Sequence, residues 1–481
     1  MDYEFKTKPF KHQEDAIKES WFKEFYALFM EMGTGKSKVA IDNIGMLHER
    51  GFVDSALIIA PKGVYDNWVK GEIPTHLPDR IQRDVLRWEP KRTKGFAKRL
   101  ENFIMEDFIG VKIFVMNIEA LSTPRGANTA GRFLVQNPNN IVIIDESNTI
   151  KNRKAARTKN LQVLHKYAKY RRILTGSPIT KSPMDLFSQC SFLAEKALGY
   201  NSYFAFQNRY AIVRQQKMGQ RSFQEIVGYR RLDELNEKLT QFSKRVLKSE
   251  CLDLPDKLYT KRYVPLTDEQ KRLYDQMKDM ALAMLENGEL ATTTSVLTQI
   301  MRLQQISCGH FTPDVGETRS LESNRIEELL NITEELQGKC IIWASYTHDI
   351  QRIYSALRDC FGPEAVALYF GDTAQDMRQD TVDRFQDPKD PLRFFVGQPR
   401  TGGFGITLTA ATTVIYFSNS YDLEIRLQSE DRAHRIGQNN PVTYIDLVSP
   451  DTLDEKILTA LKSKVNLAET VLGEETRQWF Q

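Results

Sequence analysis

Two separate series of short apolar runs constrain this chain more than any other feature. The first comprises Leu57–Pro61, Lys112–Asn117, Ile141–Asp145 and Arg171–Gly176. The second comprises Cys340–Ser345, Ala365–Phe370, Arg393–Gly397, Thr413–Ser418 and Val442–Val448. Helix-like stretches separate the runs. Parallel strands need long crossovers, usually helical, and buried parallel strands read as continuous apolar runs. The pattern therefore predicts two α/β cores, each with a parallel sheet, at roughly 1–180 and 336–481. Between them, residues 181–335 carry long amphipathic runs and few strand signals, which predicts mostly helix. Leu254-Pro255 breaks this stretch and is the expected boundary between the halves. The organisation expected is a first lobe over 1–180 with a helical extension over 181–255. A linker and second helical extension over 256–335 then precede a second lobe over 336–481. Residues 311–323 read as an exposed loop. A length of 481 residues accommodates about two to four domains at roughly 100–200 residues each.

No stretch approaches the ~18 consecutive apolar residues of a membrane span. The amino-terminal MDYEFKTKPFKHQ lacks the apolar segment of a secretory signal. The five cysteines, Cys190, Cys251, Cys308, Cys340 and Cys360, are widely spaced and form no CxxC pair, which argues against a zinc site or a disulfide framework. A reducing cytoplasmic compartment is the expectation. Net charge is only +3, but the basic residues cluster. Nine Lys or Arg and no acid lie between Lys151 and Arg172, and further basic stretches run over Arg80–Arg99 and Arg209–Arg231. Such clusters can neutralise phosphates, or can be solvated helix faces.

Residues Met32–Ser37 read MGTGKS. Gly33 and Gly35 can take positive φ, so that backbone N–H groups, including those of Met32 and Thr34, close around phosphate oxygens. Lys36 would meet the β and γ phosphates and Ser37 would offer its hydroxyl to Mg2+. The following KVAIDNIGML suits a helix whose N-terminus faces the anion. The first glycine of the usual phosphate loop is replaced by Met30. Residues 141–146 read IVIIDE, an apolar strand delivering two carboxylates to its C-terminal edge, where ligands bind in open α/β sheets. Asp145 is the expected Mg2+ ligand and Glu146 the general base for an attacking water. Within RLQSEDRAHRIGQ (426–438), Arg432 and Arg435 are three apart and would share a helix face. They are candidates to meet transition-state charge on a phosphate. The bland alternative is a surface helix with charge pairs such as Glu430–His434.

In this order the motifs resemble the Swi/Snf-type DNA translocases of helicase superfamily two, over most of the chain. FKHQ (10–13) looks like the adenine-reading segment, with Gln13 as its glutamine. MGTGKS resembles motif I, LIIAPKGVYDNW (57–68) motif Ia, and DESNTIKN (145–152) the acidic box with a following Lys-Asn pair. LTGSPI (174–179) resembles motif III, IIWASY (341–346) motif IV, and GGFGITLTAA (402–411) motif V. DRAHRIGQ (431–438), close to motif VI, is the most specific element. The stretch 254–277 looks like the segment leading into lobe two. The resemblance implies two RecA-like lobes, ATP and Mg2+ as cofactors, and double-stranded DNA as substrate, gripped through its backbone. It implies DNA contacts at Lys62 and Asn67, at Lys151 and Asn152, and at Thr401, Gly402 and Gly403. Two departures stand out: Ser147 and Asn148 replace the usual alanine and histidine, and Ser177 stands where threonine is common. No chromatin-reading module fits in the 481 residues, so a minimal motor, as in bacterial or phage members, is expected. A monomer acting on duplex, forks or four-way junctions is the expectation. The alternatives are a strand-separating helicase, a fork-regressing or branch-migrating enzyme, and an inactive DNA-binding scaffold. The intact Lys36, Asp145, Glu146 and Arg435 argue against the last.

Overall fold

The computed structural model describes residues 3–91, 93–218, 221–286, 293–313, 317–371, 373, 375–402 and 406–474. Two compact units form. The first contains Met1–Val213, Ile226–Asp253 and Leu467–Glu475; the second contains Arg214–Glu225 and Leu254–Asn466.

The first unit is built on a seven-stranded sheet. Its strands are β1 (Phe25–Met30), β2 (Ser55–Ala60), β3 (Arg83–Arg87), β4 (Val111–Asn117), β5 (Asn140–Asp145), β6 (Tyr170–Leu174) and β9 (Ser243–Val246), in the order β3-β4-β2-β5-β6-β1-β9. Every pairing is parallel. Between β6 and β9 the chain forms a separate two-stranded sheet of β7 (Ala211–Met218) and β8 (Arg221–Tyr229). All residues of β2, β4 and β5 are buried, which explains their unbroken apolar runs. Alternate side chains of one strand enter different cores. Val142 and Ile144 pack with Phe103, Phe114 and Phe133, whereas Ile141 and Ile143 pack with Val39, Ile58 and Val115. Burial of each such side chain contributes about 1.5–3 kcal/mol.

The second unit carries a six-stranded sheet in the order β10-β17-β16-β13-β15-β14, again parallel throughout. Its strands are β10 (Lys257–Tyr263), β13 (Lys339–Trp343), β14 (Val366–Tyr369), β15 (Phe394–Gly397), β16 (Ala411–Tyr416) and β17 (Val442–Val448). A small antiparallel pair, β11 (His310–Phe311) and β12 (Arg319–Ser320), lies in the stretch expected to be loop.

The fold class is the one expected, and all nine apolar runs became strands. The differences lie at the sheet margins. The stretch 181–255, expected to be helical, also carries β7, β8 and β9, and 256–335 supplies β10. β9 reads SKRV and β10 reads KLYTKRY, each at the edge of its sheet, where one face meets solvent and polar residues are tolerated. Their composition therefore hides them from a search for apolar runs. The C-terminal stretch also divides: Leu467–Glu475 belongs to the first unit although the sequence placed it with the second lobe. Val471 is fully buried in the first unit's core. All five cysteines are free.

Candidate nucleotide site

Because the first sheet is parallel, the C-terminal ends of β1, β6 and β5 emerge side by side at one edge. Register fixes this: Leu28 pairs with Leu174, and Leu174 with Asp145. β1 leads into the glycine loop, β6 into Thr175 and Gly176, and β5 into Asp145 and Glu146.

The loop has the backbone its glycines allow. Gly33 has φ +81° and Gly35 φ +89°, and Gly35 caps helix α2 (Lys36–Glu49), which follows helix α1 (Lys11–Ser20). A Cβ on Gly35 would lie 2.2 Å from Gln13 Nε2, so glycine is required sterically as well as conformationally. Gln13 at the start of α1 is held from both sides. Its Oε1 accepts from Phe10 N at 3.0 Å, and its Nε2 donates to the Thr34 carbonyl at 3.1 Å. His12 Nε2 donates to the same carbonyl at 2.8 Å. Lys36 is buried, with Nζ 3.4 Å from the Glu31 carbonyl, and Ser37 follows it half-buried on the first turn of α2. Met32 N stands 3.2 Å from where a Cβ on Gly176 would sit, so the loop and the end of β6 approach without side chains between them.

Both carboxylates are buried. Burial pushes the Asp145 carboxyl above the ordinary range, while the Trp68 indole, the Lys36 charge and the Glu146 N–H pull it back. Its Oδ1 accepts from Glu146 N at 3.0 Å, and its Oδ2 accepts from Trp68 Nε1 at 2.8 Å. Glu146 has φ +49°, a left-handed conformation that costs a non-glycine residue about 1–3 kcal/mol and that functional sites retain. Thr175 Oγ1 donates to Glu146 Oε2 at 3.3 Å. Among the described residues no group of three or more His, Cys, Asp or Glu could hold a metal by itself. One buried carboxylate beside a serine hydroxyl and a phosphate-binding loop fits Mg2+ that arrives with a nucleotide, since that cation takes few protein ligands and completes its shell with phosphate and water.

Several side chains that support this edge carry no local signal in the sequence. Arg245, on β9, donates to the carbonyls of Phe29 at 3.1 Å and Gly176 at 2.9 Å, and to Glu474 Oε1 at 2.7 Å. Lys248 N donates to Glu31 Oε2 at 2.7 Å. Both residues come from the segment after Arg231 that the sequence treated as an extension.

In the second unit, Arg432 and Arg435 do not lie on a helix. Helix Leu423–Glu430 ends before them. They nonetheless converge: both donate to the Ile406 carbonyl, at 3.1 and 3.4 Å, and Arg432 Nε also donates to the Gln428 carbonyl at 2.9 Å. The surface-helix alternative fails, because Glu430 is fully buried and bonded to Arg426, Lys257 and Tyr259. Arg426 is buried over the Tyr416 ring, 3.5 Å from its centroid, and also binds Asp446 and Asn419.

The expected DNA contacts fall on varied surroundings. Lys62 and Asn67 are exposed, and Asn67 Nδ2 donates to Glu72 Oε1 at 3.1 Å. Lys151 Nζ donates to Thr180 Oγ1 at 2.7 Å, and exposed Asn152 accepts from Lys154 N at 3.0 Å. Thr401 and Gly402 lie on the turn Pro399–Gly402, and Gly402 has a packing reason to be glycine, since a Cβ would meet Trp343 at 2.4 Å. Gly403 lies outside the described residues. The basic run 151–172 is not uniformly available for phosphates. Arg172 is fully buried and donates to Asn43 Oδ1 at 2.9 Å and the Ser20 carbonyl at 2.6 Å.

Residues 26–312 match the model of the SNF2-related domain, and residues 323–437 match the helicase conserved C-terminal domain. YwqA of Bacillus subtilis (strain 168) is 28% identical over 461 residues, covering 92% of this chain and 46% of its own. The ISWI chromatin-remodeling complex ATPase ISW2 of Saccharomyces cerevisiae is 26% identical over 481 residues, covering 93% of this chain and 39% of its own. The chain thus spans less than half the length of these relatives. A solved structure of the Sulfolobus solfataricus SWI2/SNF2 ATPase core in complex with dsDNA is 23% identical, with coverage of 98% and 95% and a TM-score of 0.44.

Proposed function

The chain belongs to the SNF2-related family, and from that premise we propose that it is a DNA-dependent ATPase that moves along double-stranded DNA. The observation that carries this reading is the meeting of the Gly33–Ser37 loop, Asp145, Glu146 and Thr175 at one edge of a parallel sheet. The second unit, built on its own parallel sheet, carries the convergent Arg432 and Arg435.

In this mechanism the loop N–H groups and the Lys36 ammonium hold the β and γ phosphates, and Gln13 reads the adenine edge. Mg2+, held by Asp145 and Ser37, supplies charge neutralisation at those phosphates when bound. Glu146 Oε1 or Oε2 takes the proton of the attacking water, with Thr175 fixing the carboxylate's orientation. Arg435 supplies a cation to the γ-phosphate in the hydrolysis-competent state, and Arg432 braces the segment that carries it. Grip on DNA comes from Lys62, Asn67, Lys151, Asn152, Thr401, Gly402 and Gly403 through the phosphate backbone, so sequence preference is low.

The test is ATPase rate without DNA and with single strands, duplexes, forks and four-way junctions, together with displacement of a triplex-forming oligonucleotide from a duplex. Duplex-stimulated turnover and ATP-dependent displacement are expected, both weakening steeply with salt. Turnover indifferent to every DNA would overturn the reading. Unwinding of a plain fork would make the chain a strand-separating helicase instead.

A further inference from the structure

Trp68 is fully buried, and its indole N–H needs an acceptor. The acceptor is not a main-chain carbonyl but Asp145 Oδ2, at 2.8 Å and 77 residues away in sequence. With Glu146 N on Oδ1 at 3.0 Å, each oxygen of this carboxylate takes a protein donor. One donor is fixed by the main chain of the acidic box itself. The other hangs on a different element.

That element is a five-residue π-helical turn, Trp68–Glu72. Such turns are uncommon and concentrate at functional sites. Its outer side is laced by Asn67, whose Nδ2 donates to Glu72 Oε1 at 3.1 Å and whose Oδ1 lies 2.6 Å from where a Cβ on Gly71 would sit. The neighbours Asn67 and Trp68 therefore face opposite ways, one exposed to solvent and one hydrogen-bonded to a buried carboxylate.

Resting on the nucleotide-site reading above, we propose that Trp68 is a positioning residue. It aims the Asp145 carboxylate at the nucleotide-borne cation and makes the exposed turn at Asn67 a handle on the metal site. Partners of metal-binding carboxylates typically change metal affinity or activity ~10–100-fold when removed. A rigid indole on a turn with its own outer surface transmits displacement better than a flexible donor, because its one N–H lies on a ring with only two rotatable bonds. DNA pressing on Asn67 would then alter the orientation of Asp145 directly.

The test uses the full chain and Trp68→Phe, which keeps an aromatic ring and deletes the donor. A fluorescent mant-ATP is titrated at fixed Mg2+ concentrations and in EDTA, and thermal unfolding is followed in parallel. The Mg2+ concentration for half-maximal enhancement of nucleotide binding should rise about tenfold or more, with affinity in EDTA unchanged. A purely packing role would alter melting and leave the Mg2+ midpoint in place. Should Trp68→Phe fail to fold, 3-benzothienylalanine at position 68 keeps the bicyclic shape and lacks the N–H. In the same experiment duplex DNA should shift the Mg2+ midpoint of the wild type and leave that of the folded Trp68 variant in place. A Mg2+ midpoint within twofold of wild type in a folded Trp68 variant overturns the proposal. Wild-type nucleotide binding indifferent to Mg2+ would instead overturn the nucleotide-site reading on which it rests.

Discussion

Thr175 donates its hydroxyl to Glu146 Oε2 at 3.3 Å, tying the residue after β6 to the residue after β5. Thr175 Oγ1 also accepts from Ser177 N at 3.1 Å, so the hydroxyl is oriented by its own turn. Glu146 meanwhile sits at φ +49°. A left-handed glutamate whose side chain is steered by a neighbouring strand is an arrangement that packing alone does not require. If Glu146 is the general base, Glu146→Gln should bind ATP normally and lose ~10²–10⁴ in turnover. Thr175→Val, which keeps the volume, should lose less and retain ATP affinity. Equilibrium binding of mant-ATP and steady-state phosphate release measure both; near wild-type turnover in Glu146→Gln would remove the assignment.

Gly35→Ala confronts both a φ of +89° and a Gln13 Nε2 at 2.2 Å. The loop must open or Gln13 must leave the Thr34 carbonyl. Nucleotide affinity should fall by more than tenfold. Gly51→Ala is the control: its φ is +72° but nothing lies within 4 Å. It should destabilise modestly, by about 1 kcal/mol from backbone strain, and leave nucleotide binding intact. Equal effects of the two substitutions on mant-ATP affinity would mean that Gln13 does not matter to the loop.

Arg435 and Arg432 share the Ile406 carbonyl but differ in burden. Arg432 is buried, whereas Arg435 is half-exposed. Arg435→Ala should therefore leave thermal stability within about 0.5 kcal/mol and lower DNA-stimulated turnover by ~10³ or more, as loss of an arginine finger does. Arg432→Ala should lower both. Full DNA-stimulated turnover in Arg435→Ala would show that the second unit contributes no cation to the reaction.

Arg426 lies on the helix just before them and should behave differently from both. Its guanidinium sits among the buried Glu430, Asp446, Asn419 and Tyr416. Removing it leaves two carboxylates without their shared cation, though Glu430 keeps Lys257. Arg426→Ala should cost about 3–5 kcal/mol, the usual penalty for breaking a buried pair, visible by urea denaturation of the full chain. A change below 1 kcal/mol would mean that water enters this cluster in solution.

The sequence alone determined the two parallel sheets, because a strand buried on both faces must be apolar along its length, and that property is written locally in runs such as Ile141–Ile144. It determined the conformation of the loop proposed to hold nucleotide for the same reason: Gly33 and Gly35 lie within six consecutive residues and take the positive φ expected of them. What it could not determine was anything set by where distant segments meet. The edge strands β9 and β10 are half polar, so no run announces them. Glu430 and Arg172 read as surface charges, since burial of a charge depends on partners supplied from up to 173 residues away. Arg432 and Arg435 were expected to align through helical spacing, yet the helix ends at Glu430 and a shared carbonyl aligns them instead. Trp68 appears in the sequence only as the last residue of the stretch that resembles motif Ia; the packing of its turn against the end of β5 turns its N–H toward Asp145. Periodicity reports which face of an element is buried. It carries no information about which polar atom waits on the other side, and that is decided when the elements pack.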